Sequence, residues 1–431
     1  MIDIHIHISG STNVASTIAQ LNALSPRSVR TERLLSAYSG MPSDDLNAAE
    51  LAGVYQSIDL VAQLAGNPEL LLHLGYGPAV TATTTGYTWA VLGGYGGSEA
   101  AWIADTGSAR TNWIAASYGG TNVHLTTGVH SRPPAGASNI DGSNSSGNFD
   151  FWSAMVYKFN RYIYHVYNRW VTFWGKPWSK VRFEFWNEIQ PGGAGGKGIT
   201  AEDPIDPHAK NMINWIVPRL NLDPAGTGKA PLGTPTFLGG YDKLYHWGTT
   251  SNELSEIDRM VAWWQAGNIT CTSSFDFIAI NHYPIMCTTG GTTVDWASPA
   301  AFLKHSEERA IYTRSRLASS WMRGLPVHVH EHGLSLLTAG LTTKGRSMSS
   351  YTRGQMLLAE HQMLRSIFTR AHLYTLHDGL ATSTTSNGFA DNGGAMHSAS
   401  IPFLRAAGYG SSTDPNGQAF SKATSSEVTP Q

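Results

Sequence analysis

Eight short apolar runs, interleaved with longer stretches of helical periodicity, constrain this chain more than any other feature of its sequence. Alternation of that kind is the signature of βα units. The first run is the clearest. From Ile2 to Ile8 every even position is isoleucine, a strict period of two. In a barrel strand one face packs on the helices and the other points inward. The isoleucines suit the helix side, so Asp3, His5 and His7 point into the barrel, with His7 nearest its C-terminal mouth. Further strands fit residues 28–31, 70–74, 181–187, 236–240, 275–281, 325–331 and 371–377.

The segments between them read as helices. Leu51, Val54, Ile58, Val61 and Ala65 form one apolar stripe. Another helix starts near Asp150, a good N-cap residue, and others fit near 208–220, 252–266, 298–320 and 349–369. Eight strands in order predict an α/β fold, a (β/α)8 TIM barrel, with residues 1–408 as a single catalytic domain. Residues 79–148 are rich in Gly, Thr and Ser and hold Trp89, Trp102 and Trp113. That length exceeds a plain βα loop, so it reads as an insertion after strand three. Its tryptophans serve an insertion core as readily as a sugar-stacking wall. Residues 409–431 form a Ser/Thr/Gly/Pro-rich tail.

Composition narrows the function. Charged residues are only 14%, against roughly 25% in typical domains, and the formal net charge is −2. No basic footprint for nucleic acid is present. No apolar run approaches the ~20 residues of a membrane span. The neutral, hydroxyl-rich composition leans toward an extracellular setting, and no signal-peptide pattern precedes the first strand. Cys271 and Cys287 flank a strand that alone spans about 23 Å, so both read as ordinary thiols.

Two strand ends carry chemistry. Phe183-Glu184-Phe185-Trp186-Asn187-Glu188 closes strand four, and Pro326-Val327-His328-Val329-His330-Glu331-His332-Gly333 closes strand seven. Barrel enzymes place their reacting groups at strand C-termini. Two carboxylates across a barrel mouth are what glycoside hydrolysis requires: Glu188 to protonate a leaving oxygen, Glu331 to attack. A separation of about 5–5.5 Å gives retention through a covalent intermediate. Asn187 is placed to hold a sugar hydroxyl.

At this point the chain resembles the clan A glycoside hydrolases, which carry an Asn-Glu acid/base on strand four and a Glu nucleophile on strand seven. Within the clan it looks most like glycoside hydrolase family 39. Arg182-Phe183-Glu184-Phe185-Trp186-Asn187-Glu188-Ile189-Gln190 is similar to that family's Phe-Glu-Val-Trp-Asn-Glu-Pro-Asn. Leu74-Gly75-Tyr76-Gly77-Pro78 looks like its strand-three end, and Phe275-Asp276-Phe277-Ile278-Ala279-Ile280-Asn281-His282-Tyr283 like its strand six. The resemblance implies a retaining glycosidase acting on carbohydrate, with no cofactor and no metal. It implies that Tyr283 hydrogen-bonds the nucleophile and that Arg30, at the end of strand two, helps keep it ionised. Trp186, His7, Asn281, His332 and His377 join Asn187 as supporting or substrate-binding residues. Three positions depart from the pattern: Asn281 replaces the clan's strand-six His, Ile189 replaces the Pro after the acid/base, and His330 and His332 flank the nucleophile.

Parity places His328 and His330 opposite to Glu331, facing the helices. A rival reading is an amidohydrolase-type, metal-dependent hydrolase using His5, His7, His282 and Asp378, ligand types that suit zinc. A second is a carbohydrate-binding barrel without catalysis.

Overall fold

The computed structural model describes residues 2–6, 8, 14–31, 46, 48–74, 148–186, 213–214, 216–239, 256–282, 294–296, 299–333, 341–343, 346–347 and 350–374. Nine strand segments pair into one parallel sheet that wraps into a barrel. They are β1 (Asp3–Ile6), β2 (Ser28–Thr31), β3 (Glu69–Leu74), β4 (Val181–Phe185), β5 (Leu232–Gly233), β6 (Phe237–Gly239), β7 (Ile278–His282), β9 (Val327–His332) and β12 (Arg370–Leu373). β8 (Val294–Trp296), β10 (Leu341–Thr343) and β11 (Arg346–Ser347) form a separate three-stranded sheet in the segments that follow β7 and β9.

The large sheet runs β5-β4-β3-β2-β1-β12-β9-β7-β6. β5 and β6 are two pieces of the fifth barrel strand. β5 pairs with β4, β6 pairs with β7, and a bridge between Gly233 and Phe277 joins the two sides. Glycine is required at that bridge. A Cβ on Gly233 would lie 2.2 Å from the Phe277 ring, which occupies the space inside the barrel. The expected strand 236–240 is found as β6, and a short segment the sequence did not mark, β5, precedes it in the same barrel strand.

Helices α1 (Val14–Leu24), α2 (Ala48–Ala62), α3 (Asn148–Tyr167), α4 (Glu256–Gln265), α5 (Pro299–Ala318) and α6 (Ser350–Ile367) lie between strands in chain order. α3 begins two residues before the expected Asp150. The segment near 208–220 ends in a single 3-10 turn, Val217–Arg219. None of the described helices is long and apolar enough to cross a membrane. The expected insertion at 79–148, apart from its last residue, lies outside the described residues, as does the expected tail.

The main hydrophobic core sits between strands and helices. Ile2, Ile4, Ile6 and Ile8 all belong to it, as do Val29, Leu70, Leu72, Leu74, Val181, Phe183, Phe185, Ile278, Ile280, Val327 and Val329. The period-two reading of strand one thus holds around the ring. Burying such side chains contributes about 1.5–3 kcal/mol each. Inside the barrel the apolar content is slight: Leu71, Phe277 and Ala279 form their own small cluster. The rest of the described interior is polar. Branched aliphatic residues dominate most barrel interiors, so a polar one needs its own account.

That account begins at the N-terminal ends of the strands. Arg27 donates from Nε and Nη2 to the Asp3 carboxylate at 3.1 and 2.6 Å. Arg370 pairs with Glu69 at 2.6 Å, and Arg182 pairs with Glu69 at 2.7 Å. These ion pairs close the lower mouth. Cys271 lies elsewhere, buried as a free thiol whose pKa burial pushes up to about 12. Cys287 lies outside the described residues.

Candidate active site

The upper mouth is organised by one arginine. Arg30 projects inward from β2 with no solvent exposure. Its Nε and Nη2 donate to Glu184 Oε2 and Oε1 at 2.9 and 3.2 Å, a two-pronged grip from β2 to β4. Its Nη1 donates to Glu331 Oε1 at 2.8 Å. The same Nη1 lies 2.8 Å from His5 Nδ1. A guanidinium only donates, so His5 accepts on Nδ1 and carries its own proton on Nε2.

Glu184 is completely buried at the end of β4. Besides Arg30 it accepts from Thr236 Oγ1 at 3.0 Å and from His330 Nδ1 at 2.6 Å. His73 Nε2 stands 3.9 Å away. Burial works to raise its pKa, but Arg30, His330 and His73 facing it hold the carboxyl well below the usual carboxylate range. Burial pushes the pKa of His330 down against the pull of Glu184, and that of His73 down to about 4. Both are neutral near pH 7, so Arg30 supplies the positive charge, and of the two only His330 is close enough to donate. Glu184 fills the four acceptor positions a carboxylate offers.

Glu331 reaches this cluster through a β-bulge. β9 pairs with β7 as Val329 to Ile280 and then Glu331 to Asn281, which leaves one extra residue on β9. The pairing with β12 shifts at the same place. Without the bulge, His330 and Glu331 would face opposite sides. With it, His330 reaches Glu184 and Glu331 reaches Arg30, both inside the barrel. The expectation that His328 and His330 face the helices is corrected on this ground. His328 stacks on Phe277 inside the barrel, ring centroids 4.3 Å apart, and its neighbours Val327 and Val329 take the helix side.

The strand resumes alternation after the bulge, which turns His332 outward. Its Nε2 lies 3.0 Å from His361 Nδ1 on α6, and its Nδ1 is 3.7 Å from Glu360. His282 on β7 also faces outward, bonded to Ser306 on α5 at 3.0 Å, and Ser306 donates to Glu360 at 2.8 Å. His332 therefore belongs to a buried wall between barrel and helices, away from the mouth where its neighbour Glu331 points.

Trp186 ends β4 with φ +59°, a left-handed conformation unusual for a bulky residue. Its N–H donates to Leu74 O at 2.9 Å, and its carbonyl accepts from the Thr236 N–H and Oγ1, each at 3.2 Å. Strained backbone of this sort clusters at functional sites. Here it stands one residue before Asn187.

Of the expected site residues, the structure brings Arg30, Asn281 and Glu331 to the upper mouth and places Trp186 at its edge. His7, Asn187, Glu188, Tyr283 and His377 lie outside the described residues. Glu184, His330, His73 and Thr236 were not singled out from sequence as site residues. Parity marks Glu184, because Val181, Phe183 and Phe185 all face the helices and leave the even positions of β4 inward. The metal-ligand set does not converge as far as it is described. His5 faces inward against a guanidinium, His282 faces outward against Ser306, and His7 and Asp378 lie outside the described residues. Among the described residues no group of three or more His, Cys, Asp or Glu is arranged to hold a metal ion.

No family model and no curated protein matches the sequence. Solved structures do. A monomeric β-xylosidase from Caulobacter crescentus CB15 aligns over 93% of this chain at 13% identity, with a TM-score of 0.52. This chain covers 66% of that protein, so it spans just under two thirds of its length. A GH39 β-xylosidase from Caulobacter crescentus aligns over 93% of this chain and 69% of its own at 12% identity, TM-score 0.51. A GH5-4 broad-specificity endoglucanase from Clostridium longisporum aligns over 91% of this chain and 85% of its own at 9% identity, TM-score 0.50. At these identities the likeness is one of fold, and the (β/α)8 barrel expected from the sequence is the fold they share.

Proposed function

We propose that this protein is a glycoside hydrolase that cleaves O-glycosidic bonds with retention, by double displacement. The observation that carries the proposal is Glu331. It sits at the C-terminal end of the seventh barrel strand, is 7% exposed, and takes a hydrogen bond from a buried arginine of strand two. A carboxylate held so is ionised and still open to a ligand. The fold shared with two β-xylosidases and an endoglucanase supports the same reading.

In this mechanism Glu331 attacks the anomeric carbon while Glu188 protonates the departing oxygen. The bond to the leaving group breaks as the Glu331–sugar ester forms. Glu188, now ionised, takes a proton from water, and that water displaces Glu331. Arg30 holds Glu331 in place and ionised. Asn187, His7, His377 and Asn281 are assigned to the sugar side and Tyr283 to Glu331, while Trp186 packs in the core at the end of β4 and His332 in the wall behind. The low charge of the chain gives no pull toward acidic sugars, and the substrate proposed is a neutral, β-linked oligo- or polysaccharide.

A panel of 4-nitrophenyl glycosides and polysaccharides, with product anomers followed by NMR, tests the reading. Retention of configuration is expected. Glu188→Gln is expected to lower kcat by about 10²–10⁴-fold on unactivated substrates, and Glu331→Gln by at least as much. Inversion of configuration would remove the double displacement. Full activity in both variants would remove the catalytic assignment, and binding without turnover in the native protein would favour a carbohydrate-binding barrel.

A further inference from the structure

We infer that Glu184 is a positioning residue that sets the charge of the nucleophile: it takes up half of Arg30 and so keeps Glu331 basic enough to attack. The inference rests on the glycosidase reading and concerns the same site. Arg30 spends two of its three nitrogens on Glu184 and one on Glu331. An arginine facing Glu331 alone would pull its electron density away and stabilise the carboxylate before reaction. Stabilising the ground state of a nucleophile slows its attack. A second carboxylate on the far side of the guanidinium offsets that pull without touching substrate.

Three features show that Glu184 is built for permanent charge. It is wholly buried, it accepts from Thr236 and His330 as well as from Arg30, and its carboxylate is fully satisfied. A neutral side chain there would waste four donors. Other groups also face the Glu331–Arg30 pair. His5 comes from β1, His73 from β3, His330 from β9 and His372 from β12, the last with its ring 5.6 Å from that of His330. Asn281 lies beside Glu331 in register on β7. Each described histidine in this group is pushed by burial toward the neutral form, or, for His5, accepts from a guanidinium. Glu188, Tyr283, His7 and His377 are the further ionisable groups that the sequence assigns to this mouth. Among the described groups, Glu184 is therefore the charge that balances Arg30 alongside Glu331.

The test is the Glu184→Gln variant, read by the pH dependence of kcat/KM on the 4-nitrophenyl glycoside that the native protein turns over. Losing the Glu184 charge leaves Glu331 as the remaining described carboxylate paired with Arg30. The Glu331 pKa then falls, and the acidic limb moves to lower pH by on the order of one unit. kcat is expected to fall about 10-fold or more, with KM little changed. Glu184→Asp keeps the charge and is expected to leave the limb near its native position. A Glu184→Gln limb that does not move, or a Glu184→Asp limb that moves as far, overturns the inference.

A second measurement does not depend on Glu184→Gln folding. Carboxyl-carbon NMR of 13C-glutamate-labelled native protein should show a Glu184 signal, assigned by its loss in Glu184→Asp, that does not titrate between pH 4 and 8. Titration within that window overturns the inference. The two levels separate cleanly. An inactive Glu331→Gln with an unmoved Glu184→Gln limb defeats the role of Glu184 alone, whereas an active Glu331→Gln defeats the glycosidase reading and this inference with it.

Discussion

The two mouths of this barrel use the same chemistry in opposite proportion. At the lower mouth three arginines, Arg27, Arg182 and Arg370, face two carboxylates, Asp3 and Glu69. Among the described residues of the upper mouth one arginine, Arg30, faces two carboxylates, Glu184 and Glu331. The lower pairs are partly wet: the Arg27 and Arg182 side chains are 33% and 22% exposed, and Glu69 is 15% exposed. The upper pairs are dry, with Arg30 and Glu184 at 0%. Between them lie Leu71, Phe277, Ala279 and neutral histidines, which carry no compensating charge at neutral pH. Surplus positive charge in contact with water is easily tolerated. Surplus negative charge in a dry cleft is not, and it persists only where the surroundings hold it in place. An asymmetry of this kind sets the lower mouth, a closed floor of ion pairs, apart from the upper mouth to which the proposed chemistry belongs.

Breaking the upper cluster should therefore cost far more than breaking the lower one. Arg30→Met strands two buried carboxylates. It is expected to lower unfolding free energy by about 3–5 kcal/mol in urea titration and to abolish turnover. A smaller loss would show that water already reaches Glu184.

Acid should act on the interior next, in two windows. Burial holds His73 and His282 down to about 4 and His372 to about 3, against an ordinary value of 6.5. The unfolded chain then binds protons first as pH falls. Stability is expected to drop below pH 6.5 by on the order of 1 kcal/mol per histidine per pH unit, until each folded value is reached. The lowered carboxyls of Glu184 and Asp3 act later. Their contribution is complete above the ordinary carboxylate range and is lost as pH falls through and below it. Urea midpoints that stay flat from pH 7 to 5 would contradict the neutral-histidine interior.

The smallest effect belongs to the lower mouth. Arg27→Met removes a partly exposed partner of Asp3, with Arg370 still 3.9 Å away. A loss of about 1 kcal/mol is expected, with kcat unchanged. A loss matching that of Arg30→Met would erase the difference between the two mouths.

Much of this was legible in the sequence. The isoleucine alternation of β1 fixed which side of a strand faces the helices, and the same rule places Arg30, His73 and Glu184 inside. The Arg30–Glu331 contact was expected from the resemblance and is present. What escaped had a local cause. Parity counted from Glu331 sent His328 and His330 to the wrong side, because the bulge on β9 adds one residue that no side-chain pattern marks. The first piece of the fifth strand, β5, went unread because it is only two residues long. The sheet of β8, β10 and β11 went unread because its strands are only two or three residues long. Glu184 was visible as part of a motif, but its partners come from strands two, three, five and seven, and only the closed barrel brings them together.

The bulge on β9 also makes that strand unusually sensitive to register. Deleting the His330 codon would restore unbroken pairing and still leave Glu331 inside and His332 outside, at the loss of one partner of Glu184. Pairing the full-length strand without its bulge would instead exchange the two sides from that point on. Glu331 would then face the helix wall in place of His332, and Arg30 would lose its second carboxylate with every amino-acid type still present. The register of the pleat, set by one extra residue, is itself part of what holds the site.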